Sequence, residues 1–162
     1  GHRIPERLDR PDAVLPFAAA VKPNVSMFER HGSDGWAMLE RIVDALPAEI
    51  PVIVDGKRGD VPSTARHSAA MCFDRLAADG ATVNPLLGAD ALDAIVERAG
   101  RLVFLLAATS NPGADEIQAR SVDGEPLAYF LARMAVRLDA EGPARVGIVA
   151  GATRPERLAA IR

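Results

Sequence analysis

Val52-Ile53-Val54-Asp55-Gly56-Lys57-Arg58-Gly59-Asp60-Val61-Pro62-Ser63-Thr64 is the stretch on which the rest of the chain is organised. Three β-branched residues run into Asp-x-Lys-x-x-Asp, and a turn and a helix start follow. Strand side chains alternate between faces, so Asp55 and Lys57 project to the side of Ile53, and Val52, Val54 and Gly56 to the other. An apolar strand thereby aims an acid and a base into one space. Gly59 permits a sharp turn, Pro62 suits the first turn of a helix, and Ser63 or Asp60 can cap it. Asp60 then sits just beyond the strand's C-terminal end, where α/β proteins keep their chemistry. On spacing alone, an Asp and a Lys two apart at a strand end are most often a solvated ion pair.

The flanking sequence repeats the same rhythm. Upstream, Val14 to Val21 is apolar and reads as a short strand that brings Lys22 to the rim occupied by Asp55. Ser33 can cap a helix in which Trp36, Leu39, Ile42, Val43 and Leu46 form an apolar stripe ended by Pro47. Downstream, a helix from about Ser63 has the face Ala69, Cys72, Phe73 and Leu76. Ala81 to Asn84 is a strand, Ala91, Leu92, Ile95 and Val96 are a helical face, and Arg101 to Ala108 is a strand apolar on both sides. Thr109 to Gly124 is polar and reads as a long loop, placed where ligand-covering loops tend to lie. Leu127, Phe130, Leu131, Met134 and Leu138 mark another amphipathic helix. Val146 to Val149 is a strand, and Thr153 with Pro155 opens a final helix. Five strand–helix alternations argue for parallel strands wrapped by helices, an α/β domain over residues 1–162.

Composition narrows the partners. The chain has 162 residues, is 49% hydrophobic and 4% aromatic, and carries a formal charge of -3. Its Lys and Arg residues are scattered, which disfavours nucleic-acid binding. There is no apolar run of roughly 20 residues and no signal-peptide pattern, so the expected location is the cytoplasm and no membrane contact is expected. Cys72 is the sole cysteine, and its apolar neighbours make it a packed thiol rather than a nucleophile. His2, His31 and His67 are not spaced as metal ligands, so no metal site is expected.

Beyond composition, Asp55-Gly56-Lys57-Arg58-Gly59-Asp60-Val61-Pro62-Ser63-Thr64 resembles the signature of the orotidine 5′-phosphate decarboxylases, in the bacterial subgroup that includes the mycobacterial enzymes. Ala20-Val21-Lys22-Pro23-Asn24 is similar to the family's Lys-Pro-(Asn/Gln) strand end, and Phe28-Glu29 and Gly35 follow it. Val83-Asn84-Pro85-Leu86-Leu87-Gly88 resembles Val-Asn-Pro-Tyr-Leu-Gly, with Leu86 where tyrosine is usual. Ala107-Ala108-Thr109-Ser110-Asn111-Pro112-Gly113 and Val149-Ala150-Gly151-Ala152-Thr153 occur in the family's order.

The resemblance implies a TIM (β/α)₈ barrel. That fold normally takes about 250 residues, so this chain is expected to cover about five βα units. The first strand and the last two, which in the family supply an aspartate, a glutamine, an arginine and phosphate-binding amides, have no counterpart here. It also implies a cofactor-independent homodimer that converts orotidine 5′-phosphate to UMP in pyrimidine biosynthesis. Lys22, Asp55, Lys57 and Asp60 would form its charged array, with Lys57 as proton donor and Asp60 acting across the subunit boundary beside Thr64. Ser110 would contact the pyrimidine, and Asn24 and Asn84 would shape the rim. Two alternatives stand beside this reading. One is a Mg²⁺-dependent sugar-phosphate decarboxylase or aldolase of the same superfamily, and the other is an inactive barrel fragment serving as a structural module.

Overall fold

The aliphatic runs of the sequence become strands that lie side by side and point one way. The computed structural model describes residues 15–153 together with Pro155, Ala159 and Ile161. His2 and most of the expected final helix lie outside the described residues. In chain order, α1 is Val25–Glu29, α2 Gly32–Asp44, β1 Ile53–Arg58, α3 Pro62–Ala69, β2 Gly80–Val83, α4 Asp93–Val96 and β3 Leu102–Ala108. Then come α5 Asp115–Gln118, β4 Ser121–Val122, β5 Glu125–Pro126, α6 Leu127–Glu141 and β6 Arg145–Ala150. The main sheet is four-stranded in the order β1-β2-β3-β6, and every pairing in it is parallel.

The expected strand before Lys22 is reduced to an edge. Leu15–Phe17 is a 3₁₀ turn, and Val21 and Asn24 form isolated parallel bridges to Val52 and Asp55. Prolines at 16 and 23 remove donors that a continuous strand would need. The edge is nevertheless firm: Ile53 N–H donates to Val21 O at 2.9 Å and Asp55 N–H to Pro23 O at 2.9 Å.

Helices cover the outer face of the sheet. The core gathers Val25 and Leu39 with Val54, Phe73, Val83, Val103 and Leu138. In α2, Leu39 is fully buried and Trp36, Ile42, Val43 and Leu46 pack partly against the core. The helix begins at Gly32 with His31 at its cap position rather than Ser33, and no side chain caps it. Asp34 in the first turn supplies the negative charge that a helix N-terminus favours. Likewise α3 has Val61 at the cap position and Pro62 in its first turn, so neither Ser63 nor Asp60 is its cap residue.

Beyond α3 the chain continues as a π-helical turn over Ala70–Arg75, which buries Cys72 and Phe73. Burial pushes the Cys72 thiol up to about 11, against a smaller downward pull from Arg58, as expected of a packed thiol. In α6 the buried positions are Ala128, Leu131, Ala135 and Leu138, so two alanines share the stripe with the leucines and Phe130 and Met134 sit at its margins. On β3, Val103, Leu105 and Ala107 are buried while Leu102, Phe104 and Leu106 are half-buried. One face of that strand is therefore covered less than the sequence implies.

The stretch from Thr109 to Gly124 is not a plain loop. It holds a 3₁₀ turn at Pro112–Ala114, helix α5 and, with β5, a small antiparallel hairpin. The hairpin turns at Asp123 and Gly124, with φ of 52° and 84°, the left-handed pair for which Asp-Gly is the favoured sequence.

Candidate active site

The C-terminal end of β1 and the edge segment before it meet on one carboxylate. Because side chains alternate along an extended chain, Lys22 and Asn24 face the same way, and the bridges to β1 bring both to Asp55. Lys22 Nζ lies 2.5 Å from Asp55 Oδ2, and Lys57 Nζ lies 2.6 Å from Oδ1. Asn24 Nδ2 donates to Oδ2 at 3.3 Å. Asp55 is 6% exposed, while the lysine side chains are 53% and 45% exposed. The carboxylate is thus sunk below a surface formed by its two ammonium partners. The expected meeting of Asp55 and Lys57 on one side of the strand is found.

Burial by itself would push the Asp55 carboxyl up. Hydrogen bonds from Lys22, Lys57 and Thr82, with the Lys22 charge, outweigh it and hold the group well below the usual carboxylate range. A depressed folded-state pKa stabilises the fold above the unfolded value, about 3.9 for Asp. The contribution is lost as pH falls through the folded value. The gap in stability between the wild type and Asp55→Asn should therefore be widest near neutrality and narrow as pH drops below about 4. Denaturant titrations of both proteins along a pH series measure it, and a gap unchanged by acid would contradict the assigned ion pairs.

Backbone geometry at Lys57 is unusual. Its φ is 47°, a left-handed conformation that costs a non-glycine residue on the order of 1–3 kcal/mol and persists where the surroundings impose it. The β1–β2 register explains the position. Val54 pairs with Ala81 and Arg58 with Val83, so Asp55, Gly56 and Lys57 all lie opposite Thr82. Such bulges occur next to active sites, where they re-aim a side chain.

Thr82 is the residue that the sequence reading missed. It is 4% exposed, accepts Lys57 N–H at 3.0 Å and donates to Asp55 Oδ1 at 3.0 Å. Its signal was a lone hydroxyl in the otherwise apolar Ala81-Thr82-Val83. Arg58 also contributes, pairing with Glu29 of α1 and tying that helix to the strand.

The remaining expected site residues lie around this centre without touching it. Asp60 is exposed, and its Oδ1 accepts Val61 N–H at 2.8 Å. Thr64 is exposed in the first turn of α3. Asn84 accepts Leu86 N–H at 3.1 Å through Oδ1, and its own N–H donates to Arg58 O at 2.7 Å. A Cβ at Gly59 would stand 2.8 Å from Asn84 O, so only glycine lets the two strand exits approach. Ser110 is exposed just after β3. Beside it, Gln118 clamps Thr109, accepting its N–H and donating to Oγ1, each at 2.8 Å. Among the described residues, no group of three His, Cys, Asp or Glu side chains is placed to hold a metal ion. No helix among them is long and apolar enough to cross a membrane.

Fold and site together define an α/β protein whose ionisable groups gather at the carboxyl ends of parallel strands. The chain belongs to the orotidine 5′-phosphate decarboxylase / HUMPS family, whose pattern it matches over residues 5–162. It is 47% identical over 152 residues to an orotidine 5′-phosphate decarboxylase of Roseiflexus castenholzii, covering 93% of this chain and 55% of that protein. A second such enzyme, from Herpetosiphon aurantiacus, is 37% identical over 172 residues, with 98% of this chain and 64% of that protein covered.

Solved structures agree. The OMP decarboxylase of Leishmania donovani superposes with a TM-score of 0.85 at 38% identity, over 91% of this chain and 58% of that one. A protein of Toxoplasma gondii described as a putative orotidine-monophosphate decarboxylase gives 0.90 at 35% identity, over 97% of this chain and 60% of that one. The family expected from the motifs is thus the family found, and the fold is of the TIM-barrel class. The chain spans between about half and two thirds of the length of these relatives.

Proposed function

We propose that the protein containing this chain decarboxylates orotidine 5′-phosphate to UMP in pyrimidine biosynthesis, as a cofactor-independent homodimer in the cytoplasm. Family membership and its relatives' names support the substrate. The observation that carries the reading is the Lys22–Asp55–Lys57 chain of ion pairs at the carboxyl rim. Heterolysis of the C6–carboxylate bond releases CO₂ and leaves an electron pair on C6 of the pyrimidine. That charge needs a fixed cation beside it and then a proton. Lys57 is the group for both tasks: its ammonium faces the developing carbanion and transfers a proton from Nζ to C6, after which solvent recharges the amine.

Asp55, held from both sides by Lys22 and Lys57, fixes the Lys57 head group and lies next to the departing carboxylate. Lys22 orients Asp55 and reaches toward the ribose, and Asn24 supports the same carboxylate. Asp60, exposed on the turn after β1, and Thr64, exposed in the first turn of α3, act in the ribose site of a neighbouring subunit. Ser110 addresses the base, and Asn84 sets the rim between the exits of β1 and β2.

The Mg²⁺-dependent sugar-phosphate alternative requires carboxylate oxygens open to a cation, whereas both oxygens of Asp55 are taken by ammonium groups. The complete protein is expected to turn over orotidine 5′-phosphate in EDTA at the rate seen without it, followed by the loss of substrate absorbance. Activity abolished by chelation and restored by Mg²⁺ would replace this reading with the alternative.

A further inference from the structure

We propose that Thr82 is a positioning residue for the proton donor, its buried hydroxyl locking the Lys57 backbone and the Asp55 carboxylate into one rigid unit. The inference deepens the decarboxylase reading and rests on it for its kinetic consequences. The register supplies the reason. Where three residues of β1 face one residue of β2, the ladder cannot serve every backbone group of the longer side. The Lys57 N–H inside this bulge goes to a side chain, Thr82 Oγ1.

The hydroxyl's two bonds have a forced direction. A peptide N–H can only donate and an ionised carboxylate can only accept. Thr82 must therefore accept from Lys57 and place its own hydrogen on Asp55 Oδ1. The same Oδ1 receives Lys57 Nζ. Backbone and side chain of Lys57 are thus tied to one carboxylate, the backbone through Thr82 and the ammonium directly.

This closed circuit accounts for the left-handed φ of 47° at Lys57, since a strained residue needs surroundings that over-determine it. Serine could reproduce both bonds, whereas valine matches threonine in shape but provides neither. Thr82 is itself buried at 4% exposure, so its hydroxyl would be costly there without the two bonds it makes.

The test compares Thr82→Val, Thr82→Ser and the packing control Val83→Ala in the complete protein. Thr82→Val is expected to lower kcat for orotidine 5′-phosphate by about 10- to 100-fold, the scale of a lost hydrogen bond to a charged group. KM should change less than threefold, Thr82→Ser should recover most of the rate, and Val83→Ala should lose stability while keeping kcat. Independently of any activity, carboxyl-carbon NMR of folded Thr82→Val should show Asp55 titrating at higher pH than in the wild type. Lys57 N–H should exchange with deuterium faster.

Folded Thr82→Val with unchanged kcat, unchanged Asp55 titration and unchanged Lys57 exchange would overturn the proposal. A loss of kcat equally large in Val83→Ala would reduce Thr82 to a packing residue and overturn it too. If the wild type fails to decarboxylate orotidine 5′-phosphate while the Asp55 and Lys57 signals shift as expected, the functional reading falls and the positioning role stands.

Discussion

Lys57→Ala in the complete protein is expected to lower kcat by on the order of 10⁴-fold or more, while nucleotide binding survives within a few-fold. The size follows from two losses at once. A positioned acid contributes about 10²–10⁴-fold, and a fixed charge beside the developing anion another 10²–10³-fold. Binding survives if the ammonium acts on C6 in the transition state as proposed, since an interaction made only there appears in kcat rather than in affinity. Single-turnover kinetics with UMP titration separates the two quantities. A variant retaining more than a tenth of wild-type turnover would remove Lys57 from the list of catalytic residues. The fold should tolerate the change, because the Lys57 side chain is 45% exposed and Asp55 keeps Lys22, Asn24 and Thr82 as partners.

Asp60→Ala should do comparable damage for a different reason. Within the chain Asp60 touches only the neighbouring peptide N–H at 2.8 Å among its described bonds, and it stands in the open. If it acts in the site of a second subunit, each site takes Lys57 from one protomer and Asp60 from the other. Mixing inactive Lys57→Ala with inactive Asp60→Ala under subunit exchange then yields heterodimers with one wild-type site and one doubly altered site. Activity should return from near zero to about half the wild-type value per heterodimer, since a two-fold interface presents the same elements twice. Activity is read alongside mass spectrometry that counts heterodimers. Verified heterodimers without activity would refute the shared site.

Much of this architecture was legible because the decisive signals were local. A β-branched run ending in Asp-x-Lys and followed by Gly and Pro could form little other than a strand, a turn and a helix, and β1 and α3 are those elements. Period-two reasoning placed Asp55 and Lys57 together, although the chain between them bulges and Lys57 leaves the extended region. The pairing was right and the backbone path was not foreseen. Bulges depend on the register with a partner strand, which β1 does not encode alone.

Thr82 was missed on the same account, since its importance comes from lying across the sheet from three residues. Lys22 reached the rim as read, but through a short edge from Val21 to Asn24, interrupted by Pro23, rather than through a strand. The loop after β3 concealed short elements held by the Gln118 clamp, which is a tertiary feature. Its hairpin was different: Asp123-Gly124 announced that turn in the sequence, and the polarity of the segment masked it.

The arrangement around Asp55 also governs how a ligand arrives. Within the paired triad, one carboxylate between two ammonium groups leaves a single positive charge, set back from the exposed Asp60 on the following turn, in a chain whose formal charge is -3. Local fields of this kind guide oppositely charged molecules during diffusion and are weakened by added salt over a Debye length of about 8–10 Å. Under the proposed function, orotidine 5′-phosphate, anionic through both its phosphate and its carboxylate, would be drawn to the rim before it makes any contact there. Its encounter rate, and with it kcat/KM, should decline as ionic strength rises, while kcat at saturation stays level.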